Sequence, residues 1–273
     1  MKLKKLETIQ QAVDLGTTLS LSWFRGHSKT YNELTPGVFR PTITRLEESS
    51  LPFVGRQNIE CSIIEEFKRR APSLQSYLPG HSDHLSWLFL MQHHGAPTRL
   101  LDWTESVLIA LYFAVNSHTQ DDGEIWGLYP HKLNELSCIP GTPTRNNRIL
   151  QFLGSEPMHS APENLANDLG IERPKYPLAI QAQMTFPRII NQMGTFTIHP
   201  NPKKGLTLPE ILKEERHLVR YIIPSVSKEK LRKNLAALGF TRVALFPNLD
   251  SLSETINEEH HIVGYSPPEP PEW

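Results

Sequence analysis

Gln92-His93-His94-Gly95-Ala96-Pro97-Thr98-Arg99-Leu100-Leu101-Asp102-Trp103-Thr104-Glu105-Ser106 is the densest polar stretch of the chain, and apolar segments flank it on both sides. Asp83 is placed to cap a helix over residues 83–92. Gly95 and Pro97 force a turn. Leu100 and Leu101 then read as a short strand, and Thr104 as the cap of a second helix over 105–116. Nine residues of that helix, Val107–Val115, are apolar without a break, so it is buried on most sides. Polar side chains squeezed between two core elements must find partners. They form either a structural network or a site.

Towards the N-terminus, Leu3, Leu6, Ile9 and Val13 recur at spacings of three and four and predict a helix over 3–15, which Gly16 ends. Leu19, Leu21 and Trp23 alternate with Ser20 and Ser22, predicting a strand over 19–25 ended by Gly26. Residues 31–45 read as loop and 58–70 as a helix broken by Pro72. Towards the C-terminus, Asp121-Asp122-Gly123 reads as a turn into a strand over 124–129. Residues 132–177 are polar, rich in Pro, Asn and Gly, and longer than an ordinary loop; they read as an insertion or lid with short helices. Strands over 179–186 and 194–199 follow, then a short helix over 209–216 and a strand over 218–223. An amphipathic helix over 228–238 is capped by Gly239, and a strand over 243–246 precedes a helix over 249–258. The tail 266–273, with four prolines, reads as an extended polyproline-type end. Strands interspersed with helices, without regular βαβ alternation and without a fixed repeat, predict an α+β fold. The expected organisation is a helix over 1–18, one main domain over 19–258 and a tail over 259–273.

The chain has 273 residues, 28 Lys+Arg against 29 Asp+Glu, and a formal charge of −1. With 38% hydrophobic and 21% charged residues it is globular in composition, not disordered. The near-neutral balance argues against a general nucleic-acid binder and a basic membrane-surface protein. The longest apolar run is far short of a membrane span, and the three lysines of the first six residues precede no apolar stretch. Two cysteines, Cys61 and Cys138, make neither a disulfide framework nor a zinc spacing. A reducing cytoplasm is the expected setting.

Three segments can carry chemistry. In Trp23-Phe24-Arg25-Gly26-His27, an arginine ends an apolar strand; it can clamp a phosphate or carboxylate, and Gly26 lets a ligand approach the backbone. A buried Arg–carboxylate pair is the alternative. In the central stretch, adjacent His93 and His94 are a poor chelating pair, and Arg99 and Asp102 can pair with each other. Trp103 offers a stacking face, and Thr104 and Ser106 offer hydroxyls and free N–H groups at a helix start. In Arg188-Ile189-Ile190-Asn191-Gln192-Met193-Gly194-Thr195-Phe196-Thr197, Asn and Gln precede a glycine-started strand. They read as turn caps unless the first two segments meet them in space. No G-x-G-x-x-G, Walker A, H-E-x-x-H or G-x-S-x-G pattern occurs.

Phe24-Arg25-Gly26, the stretch from Gln92 to Thr104 continuing into Ala110-Leu111-Tyr112-Phe113-Ala114, Arg188 with Gln192-Met193-Gly194-Thr195-Phe196-Thr197, and Leu245-Phe246-Pro247-Asn248-Leu249-Asp250 together resemble the motifs of the FRG domain family. The order of an arginine on an early strand, a hydroxyl-bearing strand end feeding a helix, and a polar residue before a late strand resembles, more distantly, the ADP-ribosyltransferase superfamily. That resemblance implies two small mixed sheets around a cleft, with flanking helices. It implies NAD as substrate, with the nicotinamide–ribose bond broken and ADP-ribose passed to an unidentified macromolecular acceptor, protein or nucleic acid, or to water, with no membrane partner and no metal. Arg25, Asp102 and Gln192 take the catalytic positions by this resemblance. Arg25, Gly26, His27, Thr98, Arg99, Trp103, Thr104, Ser106 and Tyr112 take the NAD-binding positions. The third segment has no glutamate, so Glu105 or Glu124 is an alternative acid. A toxin or antiphage effector acting in a bacterial or phage cytoplasmic setting is the role that the family context implies. A catalytically weak nucleotide or nucleic-acid recognition module is the competing expectation.

Overall fold

The computed structural model describes residues 4–18, 22–31, 34–40, 56–81, 83–137, 150–151, 176–181, 187–200 and 207–260. In chain order the elements are β1 (Lys4–Lys5), α1 (Ile9–Thr18), β2 (Trp23–His27), α2 (Arg56–Arg70), α3 (His84–His93), β3 (Leu100–Thr104), α4 (Val107–Val115) and β4 (Gly123–Leu128). Then come α5 (Pro130–Ser137), β5 (Leu150–Gln151), β6 (Leu178–Gln181), α6 (Pro187–Asn191), β7 (Gly194–Ile198) and α7 (Leu208–Ile211). The last are β8 (Leu218–Ile223), α8 (Ser225–Ala237), α9 (Arg242–Leu245) and α10 (Leu249–Glu259).

The architecture is α+β, as the interspersed strands and helices predict. Among the described residues the strands form one mixed sheet in the order β1-β8-β4-β2-β3-β7-β6-β5, not two. That sheet is nonetheless nearly divided in the middle. β2 pairs with β4 along its whole length, from Trp23–Leu128 to His27–Glu124, and β3 pairs with β7 from Leu100–Ile198 to Thr104–Gly194. Between β2 and β3, by contrast, a single pair is formed, Phe24 with Thr104. The sheet splays there into two halves.

Side chains alternate across the pleat, and the cores follow that alternation. Phe24 points to the face covered by α1, α4 and α8, where it joins Leu111, Ile125 and Leu231. Leu100 lies on the same face of the other half, packed with Phe89 of α3, Ile189 of α6 and Phe196. Trp23, Leu101, Trp103 and Trp126 point to the opposite face. α4, apolar on every side, is buried as its sequence predicts and sits directly on β2.

Several local expectations are corrected. Residues 3–15 are not one helix: Lys4–Lys5 is an edge strand pairing with β8, and α1 starts at Ile9. A reciprocal cap sets that start, because Thr8 Oγ1 accepts from the Gln11 N–H while Gln11 Oε1 accepts from the Thr8 N–H. Gly16 does not stop α1, which runs to Thr18; a Cβ there would lie 2.8 Å from Val107 Cγ1, so its smallness serves helix packing. Gly26 does not end β2 either, for the same kind of reason. Thr104 belongs to β3, and Ser106 caps α4 by accepting from the Ile109 N–H. Residues 243–246 are not a strand: Thr241 caps a helical turn by accepting from the Ala244 N–H, and Leu245 is its buried residue. The tail, residues 19–21 and most of the insertion lie outside the described residues.

Candidate functional site

The splay between β2 and β3 leaves backbone groups that a further pair would have satisfied. Arg25 answers one of them: its Nη1 donates to the Asp102 carbonyl at 2.6 Å and lies 3.5 Å from Asp102 Oδ2. By the pleat, Arg25 starts on the Trp23 face and Asp102 on the Phe24 face, so the guanidinium passes through the gap between the half-sheets. Behind it runs a chain of paired groups. Arg25 Nε donates to His27 Nε2 at 2.7 Å, His27 Nδ1 donates to Glu124 Oε1 at 2.9 Å, and Arg220 Nε donates to Glu124 Oε2 at 2.7 Å.

Electrostatics follow from that chain. Nε2 of His27 faces an N–H donor, so the ring is neutral with its proton on Nδ1. Burial and then the nearby Arg25 charge lower its pKa to about 4, against the opposing pull of Glu124. Burial also draws Arg25 below the ordinary guanidinium value, with Asp102 opposing it. Burial alone would raise Glu124, but hydrogen bonds from His27 and the Tyr31 N–H, with the Arg220 charge, hold its carboxyl below the usual range.

On the Phe24 face, over the gap, lies a cavity of about 200 Å³. Phe89, Phe113 and Phe196 supply aromatic wall, and Asp102, Arg25 and Arg188 supply charge. Thr98 Oγ1 donates to Gln92 Oε1 at 2.6 Å, which turns the Gln92 Nε2 towards Asp102 Oδ2 at 2.8 Å. Thr104 Oγ1 donates to the Gln192 carbonyl at 2.7 Å, and Gln192 Nε2 donates to the Leu245 carbonyl at 3.1 Å. All three sequence segments therefore meet at one cavity, the condition under which the third is more than a capped turn.

The residues singled out by sequence separate into two groups. Arg25, Gly26, Asp102, Trp103, Thr104 and Gln192 line the cavity. His27, Thr98, Arg99, Ser106 and Tyr112 do not. His27 and Thr98 stand behind Arg25 and Gln92, and Ser106 caps α4. Tyr112 is buried in the α4 core. Arg99 does not pair with Asp102: it is buried and forked onto Glu60 of α2, with Nε 2.8 Å from Glu60 Oε2. Trp103 is no stacking platform, because its ring belongs to the core of the far face and its Nε1 donates to Thr197 Oγ1 at 3.0 Å. At Gly26 the place of a Cβ is taken by α4, not by a ligand; it would lie 1.8 Å from the Ala110 carbonyl oxygen. Neither alternative acid lines the cavity. Glu124 is fully engaged as described, and Glu105 accepts from Gln181 Nε2 at 3.0 Å on the surface. Asp102 is the one carboxylate on the lining among the described residues. Sequence reasoning gave the phenylalanines no role in the site: Phe113 and Phe196 stand inside the quoted motifs among residues singled out for their polar groups, and Phe89 stands outside them on α3. No His, Cys, Asp or Glu cluster able to hold a metal occurs among the described residues.

The family model for the FRG domain matches residues 20–123. Those residues are an FRG domain. The match takes in β2, the buried Arg99–Glu60 pair, the central polar stretch and α4, and it stops at the first residue of β4. The FRG domain thus supplies Arg25, Gln92 and Asp102 to the cavity, whereas Arg188, Gln192 and Phe196 come from beyond the match. No curated protein and no solved structure matches the chain. No helix among the described residues is long and apolar enough to cross a membrane.

Proposed function

We propose that the chain is an NAD-consuming enzyme of the ADP-ribosyltransferase kind, which breaks the nicotinamide–ribose bond and passes ADP-ribose to a macromolecule or to water. The observation that carries this reading is the meeting of Arg25, Asp102 and the Gln192 turn at one cavity, with Asp102 the one carboxylate on its lining among the described residues, beside an aromatic wall. The cavity is smaller than the ~300–1,000 Å³ of pockets that enclose a drug-sized ligand. It suits a ring and the sugar attached to it, with the rest of a dinucleotide at the mouth. In the reaction the C1′–N bond breaks and its electron pair leaves with nicotinamide. Positive charge develops at C1′, and Asp102, oriented by Gln92 and Arg25, is the group to stabilise it. An acceptor oxygen or nitrogen then bonds to C1′ and gives up its proton. Consumption of NAD in the cytoplasm would suit a toxin or antiphage effector.

The second reading, a nucleotide recognition module without turnover, is favoured by one observation. The third-segment position is an amide, and its Nε2 is already donated to the Leu245 carbonyl. Nicotinamide release from NAD by purified protein, with and without cell lysate, separates the two. The enzyme reading expects release that Asp102→Asn lowers by two orders of magnitude or more while the melting temperature holds. Release only with lysate identifies a transferase. Folded wild-type protein that binds ADP-ribose and releases no nicotinamide in either condition overturns the enzyme reading in favour of the module.

A further inference from the structure

We infer that Arg188, rather than Arg25, is the residue that grips the anionic phosphate of a nucleotide ligand in this cavity. Arg25 is largely spent on the protein itself. Its Nε is donated to His27, its Nη1 to the Asp102 carbonyl, and its side chain is only 14% exposed. Its charge is answered by Asp102 and, through His27, backed by Glu124.

Arg188 is in the opposite condition. It lines the same cavity from the third segment, beyond the FRG match. Among the described residues it forms no ion pair, and its one hydrogen bond is a long one, from Nη1 to the His93 carbonyl at 3.4 Å. A half-buried guanidinium with most of its five donors unused is a prepared anion site, because a phosphate accepts a planar fork of N–H groups in bidentate fashion.

The position of that fork is set in advance. Arg188 lies over the Phe246 ring, 4.9 Å from its centroid, and Phe113 packs edge-on against the same ring. The α6 turn is pinned to this strip of chain by two further bonds, Asn191 Nδ2 to the Ala244 carbonyl at 2.8 Å and Gln192 Nε2 to the Leu245 carbonyl at 3.1 Å. This cation–π contact holds the guanidinium in place without consuming its N–H donors. The ligand class is therefore a phosphate or diphosphate joined to a sugar and a ring small enough for the aromatic wall. Asp102 sits at the ring-and-sugar end and Arg188 at the phosphate end.

The inference shares its cavity with the proposed function but rests on binding, so the two fail separately. Equilibrium binding of ADP-ribose, pyrophosphate and nicotinamide is measured by calorimetry on the full chain, for wild type, Arg188→Ala and Arg188→Lys, beside melting temperatures without ligand. The expected result is a loss of tenfold or more in ADP-ribose affinity in Arg188→Ala, a smaller loss in Arg188→Lys, which keeps charge without the fork, and unchanged nicotinamide affinity. Should Arg188→Ala not fold, Arg188→Gln, which removes the charge and keeps a polar side chain, decides the matter by the same loss of affinity and a shallower salt dependence of ADP-ribose binding. ADP-ribose affinity within twofold of wild type in a folded variant that lacks the charge at position 188 overturns the inference, and so does wild-type protein that binds neither ADP-ribose nor pyrophosphate at millimolar concentration. Loss of ADP-ribose binding in Arg188→Ala, with no nicotinamide release by wild type, leaves this inference standing and removes the enzyme reading alone.

Discussion

Replacing Gly26 by alanine tests whether that glycine serves a ligand or the fold. An ideal Cβ at position 26 would lie 1.8 Å from the Ala110 carbonyl oxygen, 2.7 Å from its carbon and 3.0 Å from the Ala114 nitrogen. All three are helix backbone, so no side-chain rotation relieves the clash. α4 must withdraw from β2 by about 1.2 Å, the difference between the shortest contact and the 3.0 Å that real Cβ atoms observe. α4 is also the element packed against α1, α8 and β4, so its withdrawal loosens the whole core on that face. Overpacking against movable side chains costs about 1–3 kcal/mol. Against a buried helix backbone the cost reaches at least the top of that range, about 3 kcal/mol, and a single domain has only about 5–15 in total. At about 2–4 °C per kcal/mol for a chain of this size, Gly26→Ala should melt at least 6 °C below wild type. Gly80, where a Cβ would meet nothing within 4 Å, is the control, and Gly80→Ala should stay within about 0.5 kcal/mol. The measurement is thermal unfolding by circular dichroism with calorimetric confirmation. Gly26→Ala melting within 2 °C of wild type, with ligand binding lost, refutes the packing argument and returns the glycine to the ligand.

Two further outcomes follow from buried charge. Glu60→Leu strips the partner from a buried Arg99 and should destabilise the chain by about 3–5 kcal/mol in urea unfolding, whereas Glu60→Leu with Arg99→Met should recover most of that loss. Stability should fall as pH drops from 6.5 towards 4. His27 titrates at about 4 in the fold against an ordinary 6.5, so over that window the unfolded chain takes up a proton that the folded one refuses. The loss at full protonation is about 3 kcal/mol for this group. His199, pushed to about 3 by its burial and then by Arg25 and Arg99, acts in the same direction, so His27→Gln should flatten the slope without abolishing it. An unchanged slope in that variant would locate the acid sensitivity elsewhere.

Much of the fold was legible because its signals are local. The unbroken apolar run of α4, the Asp83 cap of α3 and the Pro72 break after α2 each lie within one turn of the residues they govern. What failed had partners far away in sequence. Gly16 and Gly26 look like terminators locally and are spacers for α4 in three dimensions. Arg99 looks like a partner for Asp102 three residues on, yet strand alternation sends the two to opposite faces, and Glu60 takes the arginine. At Thr8–Gln11 a T-x-x-Q cap, not the hydrophobic spacing from Leu3, sets the start of α1. The site was half legible: the polar side chains of the lining stand in motifs, whereas its aromatic wall is assembled from single phenylalanines of separate elements, whose convergence no local pattern announces.

The splay of the sheet decides how variants of the site must be weighed. Had β2 and β3 continued to pair beyond Phe24–Thr104, their backbones would have satisfied each other and closed the gap. Instead a side chain takes the place of a sheet bond, with Arg25 Nη1 on the Asp102 carbonyl, and the same guanidinium holds the Asp102 carboxylate on one face and His27 on the other. Removing Arg25 therefore unpairs a carbonyl between two half-sheets, releases the Asp102 carboxylate and strips His27 Nε2 of its donor. Loss of activity in Arg25→Ala follows equally from a weakened sheet and from a weakened ligand contact, so it does not distinguish them. Among the described residues Arg188 bridges no strands and answers no carboxylate; it lies over Phe246 and reaches one distant carbonyl. A change there alters the cavity while the sheet keeps every bond it has, which makes Arg188, not the arginine that the sequence motif advertises, the diagnostic position for what this cavity holds.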